Sequence, residues 1–114
     1  MTENLIAPPS VVSAFLAAAG AHDVDRTLPT LTPDAVVVDD GRTYRGAEEI
    51  AGWLRRSASE YSYTSTLTGI ERVDDAHWVT TSHLEGDFPG AVAELAYRFT
   101  VADGLVTELV IAPR

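Results

Sequence analysis

The stretch TPDAVVVDDGRTYRGAEEIAGWL, residues 32–54, combines the patterns of a strand, a tight turn, a second strand and a helix. The β-branched run at residues 35–39 is typical of a buried strand, and Gly41 marks a turn before a short return strand at residues 42–45. A helix is predicted from Gly46, because acidic residues occupy its first turn and apolar side chains recur on one face. The stretch therefore predicts a β-hairpin followed by a helix.

Two further helices are predicted before this stretch and four long strands after it. A first helix is predicted from near Pro9 to Gly20, because Val12, Phe15, Leu16 and Ala19 have the helical spacing. Asp23 is suited to cap a second, short helix. Alternating strand-like segments separated by short turns follow the third helix: SYTSTLTGIERV, AHWVTTSHLEG, AVAELAYRFTV and GLVTELVIA. We expect an α+β fold in which a curved, mostly antiparallel sheet wraps around three helices of the N-terminal half. The concave face of such a sheet leaves room for a pocket.

Composition excludes several classes of function. The chain has 114 residues, and we expect one domain over residues 1–114. A net charge of −9 opposes binding to nucleic acid and to anionic membranes, and the absence of cysteine excludes disulfides and thiolate chemistry. The apolar run at residues 11–21 is too short to span a bilayer, so we expect a cytoplasmic protein. The sequence shows no metal-ligand spacing, phosphate loop or dinucleotide fingerprint, which predicts neither a metal nor a cofactor.

The order of elements resembles the NTF2-like superfamily and, within it, the SnoaL-like proteins. The resemblance is carried by VVSAFLAAAGAHDVD, by the hairpin and helix at residues 32–54, and by GDFPGAVAELAYRFTV and GLVTELVI, so it covers almost the whole chain. It implies a cone-shaped barrel with a pocket at one end, and frequently a homodimer formed through the sheet. The superfamily includes ketosteroid isomerases, polyketide cyclases, dehydratases, epoxide hydrolases and non-catalytic binding domains, so the resemblance alone does not choose a function.

Asp39 is the candidate catalytic residue, because the resemblance to the isomerases places their aspartate base at this position. In this interpretation Asp39 points into the cone, where desolvation raises its pKa and the carboxylate moves a proton. The alternative is that Asp39 and Asp40 are turn residues that accept backbone hydrogen bonds beside Gly41. Since strand side chains alternate, only one of the two acids can face the interior.

The isomerases' oxyanion donors have no counterpart here. Their first-helix tyrosine corresponds to Phe15, and their second acid falls near Leu95 or Ala96. Substitute donors have to come from elsewhere in the pocket, and spacing alone does not choose among the following candidates: Tyr61, Tyr63, Tyr97 and His83.

Aromatic side chains are expected to form the pocket wall. The proposed wall consists of Phe15, Trp53, Tyr61, Tyr63, Trp78, His83, Tyr97 and Phe99. The alternative is that the aromatic residues belong to an ordinary core.

His83 with Glu85 is either a positioned base or metal ligand, or a solvent-facing pair on the sheet. Alternation puts Arg98 on the convex side of the sheet, opposite Tyr97.

Together these observations predict a SnoaL-like protein that binds a small apolar molecule. Cofactor-free isomerase, cyclase or dehydratase chemistry with Asp39 as acid/base is the leading hypothesis. The alternative is a non-catalytic NTF2-like module that carries a ligand or serves in dimerisation. The expected partners are the small molecule and a second copy of the chain, with no nucleic acid and no membrane.

Overall fold

The computed structural model describes residues 7–60 and 62–114. Three α-helices are formed by these residues: α1 (Ser10–Gly20), α2 (Val24–Thr27), which continues into a 3₁₀ turn (Leu28–Thr30), and α3 (Gly46–Glu60). Six strands complete the fold: β1 (Leu31–Asp39), β2 (Arg42–Arg45), β3 (Tyr63–Arg72), β4 (His77–Gly86), β5 (Val92–Ala102) and β6 (Leu105–Pro113). The predicted sequence of helix, helix, strand pair, helix and four strands is confirmed.

The strands form one sheet in the order β2-β1-β6-β5-β4-β3. Strands β3 to β6 are an antiparallel meander, whereas β1 runs parallel to β6. The sheet is therefore mixed but mostly antiparallel, and the α+β fold predicted from the sequence is confirmed. The parallel pairing brings the carboxyl ends of β1 and β6 together, which matters for the site described below.

Strand β1 begins earlier than the sequence predicted. The pattern placed its start at Ala35, but the strand extends back to Leu31, which pairs with Val106 of β6. The register shifts between Leu31 and Val36, and Pro33 lies in this irregular segment. Proline has no N–H to donate to the ladder, so it is tolerated in this irregular segment, where the regular pairing is interrupted. Long-range pairing at Leu31 thus overrides the local turn signal of residues 32–34.

Two local features follow the sequence closely. The side chain of Asp23 accepts a hydrogen bond from the Arg26 N–H at 3.1 Å and so caps α2, as expected. Asp40 and Gly41 have φ values of 54° and 76°, which suit a two-residue β-hairpin of type I′ between β1 and β2. Asp40 is therefore a turn residue, whereas Asp39 is the last residue of β1.

The core fills the concave side of the sheet, where α1 and α3 pack. Phe15 of α1 lies edge-on against Phe99 of β5, with ring centroids 5.6 Å apart, and both side chains are fully buried. The core consists of Val12, Phe15, Leu31, Ala35, Val37, Ile50, Trp53, Leu54, Trp78, Phe99, Val106, Leu109 and Ile111. Within the described ranges, every helix falls short of the length and apolar character that crossing a membrane requires.

Candidate functional site

Three side chains from adjacent strands lie in one row on the concave face of the sheet. Asp39 of β1 pairs with Ile111 of β6, and Ile111 pairs in turn with Tyr97 of β5. Residues opposite one another point to the same face, so Asp39 and Tyr97 flank Ile111 on both sides. Neighbouring strands are about 4.8 Å apart, which places the Cα atoms of Asp39 and Tyr97 about 10 Å apart.

The carboxylate of Asp39 is oriented by α3. The indole Nε1–H of Trp53 donates a hydrogen bond to Asp39 Oδ2 at 2.9 Å. An indole nitrogen can only donate, so this oxygen acts as an acceptor. The Trp53 ring stacks on Tyr44 of β2 with centroids 6.0 Å apart, and the guanidinium of Arg56 lies over the Tyr44 ring. These contacts restrict the indole and hold Asp39 in a fixed position.

A cavity of about 520 Å³ opens above this row. Its lining is mostly apolar and aromatic: Phe15, Ala19, His22, Asp23, Val24, Thr27, Asp39, Asp40, Trp53, Leu54, Ser57, Tyr63, Leu84, Phe88, Pro89, Ala93, Leu95, Tyr97 and Ile111. Among these described lining residues there are three carboxylates and no lysine or arginine. The cavity therefore disfavours anions and suits a neutral or cationic ligand.

Two phenols share the cavity with Asp39. Burial raises the pKa of Tyr97 well above its usual value, and Tyr63 and the charge of Asp39 raise it further. The pKa of Tyr63 is also raised, first by burial and then by Asp39. Both tyrosines thus lie within electrostatic range of the carboxylate, and both hold their protons at neutral pH.

Tyr63 lies where β3 begins, at one end of the sheet. It pairs with Gly86, and a Cβ atom at Gly86 would lie 2.5 Å from the Tyr63 Cβ, so only glycine permits this approach. The rings of His22 and Phe88 meet Tyr63 edge-on, at centroid distances of 5.5 and 6.5 Å. Three rings therefore run from the α1–α2 connection to the β4–β5 turn along the cavity wall.

Comparison with known proteins gives the chain a family. The model of the SnoaL-like domain matches residues 12–109, which is most of the chain. The chain belongs to the SnoaL-like family. A Sinorhizobium meliloti protein with a provisional polyketide cyclase assignment is 30% identical, covers 92% of this chain and 95% of its own, and has a TM-score of 0.86. No match was found among curated proteins.

More distant structures share the NTF2-like fold of this SnoaL-like protein. One is a Catenulispora acidiphila protein with a ketosteroid isomerase-like fold in complex with trimethylamine, 22% identical, covering 93% of this chain and 86% of its own, with a TM-score of 0.80. Another is a Mycobacterium tuberculosis protein in complex with estradiol-17β-hemisuccinate, 16% identical, covering 92% of each chain, with a TM-score of 0.76. At these identities the likeness shows the fold alone.

The structure brings five of the residues singled out from the sequence to the cavity of this SnoaL-like protein. These are Phe15, Asp39, Trp53, Tyr63 and Tyr97. Trp78 and Phe99 are buried in the core and do not line the cavity, while Tyr61 lies outside the described residues. Sequence reasoning missed Ile111, Leu84 and Phe88 as lining residues, because placing Ile111 and Leu84 on the cavity face requires the strand registers as well as alternation.

His83 does not line the cavity of the SnoaL-like fold. It pairs with Glu94 of β5, which has the opposite parity to Leu95 and Tyr97, so its side chain lies on the convex face. There the imidazole contacts Glu94 through Nδ1 and Glu85 through Nε2, the latter at 2.8 Å. Among residues 7–60 and 62–114, no group of three or more His, Cys, Asp or Glu side chains is arranged to hold a metal ion. Arg98 is exposed on this same face.

The two carboxylates around His83 raise its pKa, Glu94 more strongly than Glu85. Because the pKa is raised in the folded state, the ion pairs of protonated His83 stabilise the fold. This contribution is complete at pH values below the ordinary histidine pKa of about 6.5. This contribution is lost as the pH rises through the raised pKa. We expect an NMR titration, with the His83 signal assigned from a His83→Gln spectrum, to show this histidine titrating above the ordinary range. Glu94→Gln should lower its pKa more than Glu85→Gln, and an unchanged pKa in Glu94→Gln would contradict the assignment.

Proposed function

We propose that this SnoaL-like protein binds a small, largely apolar molecule and moves a proton on it without a cofactor, with Asp39 as acid/base. The observation that carries the proposal is a carboxylate oriented by the Trp53 indole at the wall of an otherwise mainly apolar cavity. A carboxylate has two oxygens and about four lone-pair sites. An ionised carboxylate can accept a proton, and the hydrogen bond from Trp53 orients Asp39 at the cavity wall.

The proposed reaction follows from the ability of the Asp39 carboxylate to accept a proton. The Asp39 carboxylate takes a proton from a carbon next to a substrate carbonyl, and the C–H bonding pair becomes that of an enolate. Return of the same proton to a different carbon completes an isomerisation. Attack of the enolate carbon on a second carbonyl carbon forms a ring, and the proton then goes to the new alkoxide. Neither route consumes an oxidant, a reductant or a second substrate.

The size and charge of the cavity limit the ligand. A volume of about 520 Å³ lies within the usual range for small-molecule pockets and accommodates a ligand of two or three fused rings. The acidic lining favours an uncharged ring system over an anion. Structural neighbours form complexes with trimethylamine and with an estradiol derivative, which supports small-molecule binding as the role proposed for this chain.

Deuterium exchange of a neutral bicyclic ketone tests the proposal. 2-Tetralone is incubated with the protein in D₂O, and loss of its α-proton signals is followed by ¹H NMR. We expect exchange well above the rate in buffer, saturating with ketone concentration. Binding is measured in parallel from tryptophan fluorescence, since Trp53 lines the cavity. Saturable binding with exchange no faster than in buffer would refute proton transfer.

A non-catalytic ligand carrier is the second candidate function. The positions that correspond to the isomerases' oxyanion donors hold Phe15 and either Leu95 or Ala96, all of them apolar. This favours a binder, because an enolate without a donor gains little stabilisation. Binding without exchange across a panel of neutral ring ketones is the outcome that this candidate predicts.

We also propose that two copies of the chain associate through the convex face of the sheet. Val38, Val110 and Val79 lie on this face in one cross-strand row, interrupted by Arg98. We expect sedimentation equilibrium to give twice the chain mass of 12.2 kDa. Val110→Asp should shift the protein toward the monomer, whereas Val73→Asp, at an exposed position, should not. A monomeric wild type across micromolar concentrations would contradict this interface.

The cytoplasmic location expected from the sequence stays a prediction.

A further inference from the structure

We infer that the Tyr97 hydroxyl donates a hydrogen bond to the carbonyl oxygen of the ligand, on the opposite side of Ile111 from Asp39. This inference rests on the function proposed above and specifies its substrate class. The substrate is an uncharged ring ketone that lies on Ile111, with an α-carbon toward Asp39 and its oxygen toward Tyr97.

Strand register places the two groups on opposite sides of one apolar residue. Asp39, Ile111 and Tyr97 occupy one row across β1, β6 and β5, and all three line the same cavity. Their separation is short enough for the Asp39 charge to act on the Tyr97 phenol. A ligand that rests on Ile111 therefore has a proton acceptor on one side and a hydrogen-bond donor on the other.

The Tyr97 phenol is fixed and has donor capacity to spare. Its ring stacks on Phe99 at a centroid distance of 6.3 Å and an interplanar angle of 17°. Among the residues that the structure describes, none hydrogen-bonds its hydroxyl. Because Tyr97 lines the cavity, an acceptor oxygen on a ligand can take the hydrogen bond that this hydroxyl donates. Because burial raises the pKa of Tyr97, the phenol keeps its proton and acts as a donor throughout the neutral range.

Tyr63 is placed less favourably for this contact. It pairs with Gly86 near the end of the sheet, and its ring packs edge-on against His22 and Phe88. It does not share the row of Asp39 and Ile111. Tyr63→Phe therefore serves as a comparison within the cavity, while Thr66→Val serves as a control, because it removes an exposed hydroxyl outside the cavity lining.

The positions of Asp39 and Tyr97 also determine which ligands are accepted and where negative charge develops during the reaction. A neutral carbonyl enters beside Asp39 without repulsion, whereas a carboxylate or phenolate does not. When Asp39 removes the α-proton, negative charge appears on the ligand oxygen that faces Tyr97. A donor aimed at this oxygen strengthens its bond as the charge grows, which lowers the barrier to proton removal.

Matched probes separate this contact from general binding. The dissociation constants of 2-tetralone and of its hydrocarbon counterpart tetralin are measured for the wild type, Tyr97→Phe, Tyr63→Phe and Thr66→Val. The carbonyl stretch of bound ¹³C-labelled 2-tetralone is recorded by infrared difference spectroscopy. Loss of the Tyr97 hydroxyl should weaken ketone binding about 5-fold and leave tetralin binding unchanged. It should also raise the carbonyl frequency and slow deuterium exchange about 100-fold.

The outcomes distinguish this inference from the proposed function. If Tyr97→Phe changes neither the ketone affinity nor the carbonyl frequency while the wild type still exchanges protons, the Tyr97 contact is refuted and the function stands. If the wild type shifts the carbonyl frequency through Tyr97 but never accelerates exchange, the contact is supported and the proposed reaction is refuted. A wild type that binds neither 2-tetralone nor tetralin overturns both.

Discussion

The Asp39→Asn variant is expected to exchange the α-protons of 2-tetralone at least about 100-fold more slowly than the wild type, the usual effect of losing a general base. An amide has the shape of the carboxylate but does not accept the proton under these conditions. Its oxygen still accepts the hydrogen bond from Trp53, so the fold and the cavity should be retained. The exchange rate by ¹H NMR and the dissociation constant by fluorescence are compared at equal protein concentration.

Asp34→Asn is the matched control for this experiment. Asp34 lies on the same strand, is exposed and does not line the cavity. Its removal changes the net charge by the same amount and should leave the exchange rate unchanged within about 2-fold, as expected for a surface substitution. An Asp39→Asn protein that binds 2-tetralone and exchanges at the wild-type rate would remove Asp39 from the mechanism. Equal losses in both variants would point to net charge instead of a positioned base.

The local signals in the sequence predicted most of the fold. The β-branched run before Asp40 and Gly41 predicted the hairpin, and the acidic first turn after Gly46 predicted the start of α3 at the residue where it begins. The four long strands also agree with their predicted segments to within a few residues. In each case the deciding interaction lies within a few positions along the chain, where turn chemistry and alternation are visible.

Features that depend on distant pairing were not predictable in the same way. Leu31 belongs to β1 only because it meets Val106, which is far away in the sequence. The row at the site requires two registers, one between β1 and β6 and one between β6 and β5, before Asp39 and Tyr97 are seen to flank Ile111. Periodicity gives the face of a side chain on its own strand, but not the residue opposite it.

The placement of His83 shows how little additional information was needed. Alternation along β5 already separated Tyr97 from Glu94. A single register, that between β4 and β5, puts His83 opposite Glu94 and thus on the convex face. Its polar partners on that face explain why a histidine is stable there without a ligand. The same register places Thr80 opposite Tyr97, on the concave face.

Phe99→Ala is expected to destabilise the protein by about 3–5 kcal/mol, the range for removing a buried phenylalanine. Phe99 is 1% exposed and joins the two layers, since it contacts Phe15 of α1 and Tyr97 of β5 through their rings. Its truncation removes both ring contacts and leaves a void that α1 cannot fill without moving. Urea unfolding followed by tryptophan fluorescence gives the change in midpoint, with the slope as a test of two-state behaviour.

Leu67→Ala is the control, because Leu67 is a large apolar side chain that is exposed on β3. Its loss should change the free energy of unfolding by less than about 0.5 kcal/mol. The sequence alone left Phe99 open as either pocket wall or core, and the two roles predict different results. A wall residue exposed to the cavity loses contacts on one side only, so a cost below about 2 kcal/mol would contradict the buried position and indicate a pocket that reaches down to Phe99. The expected large loss, together with unchanged tetralin binding in the folded variant, would place Phe99 beneath the cavity floor, where its role is to hold the Tyr97 ring in position.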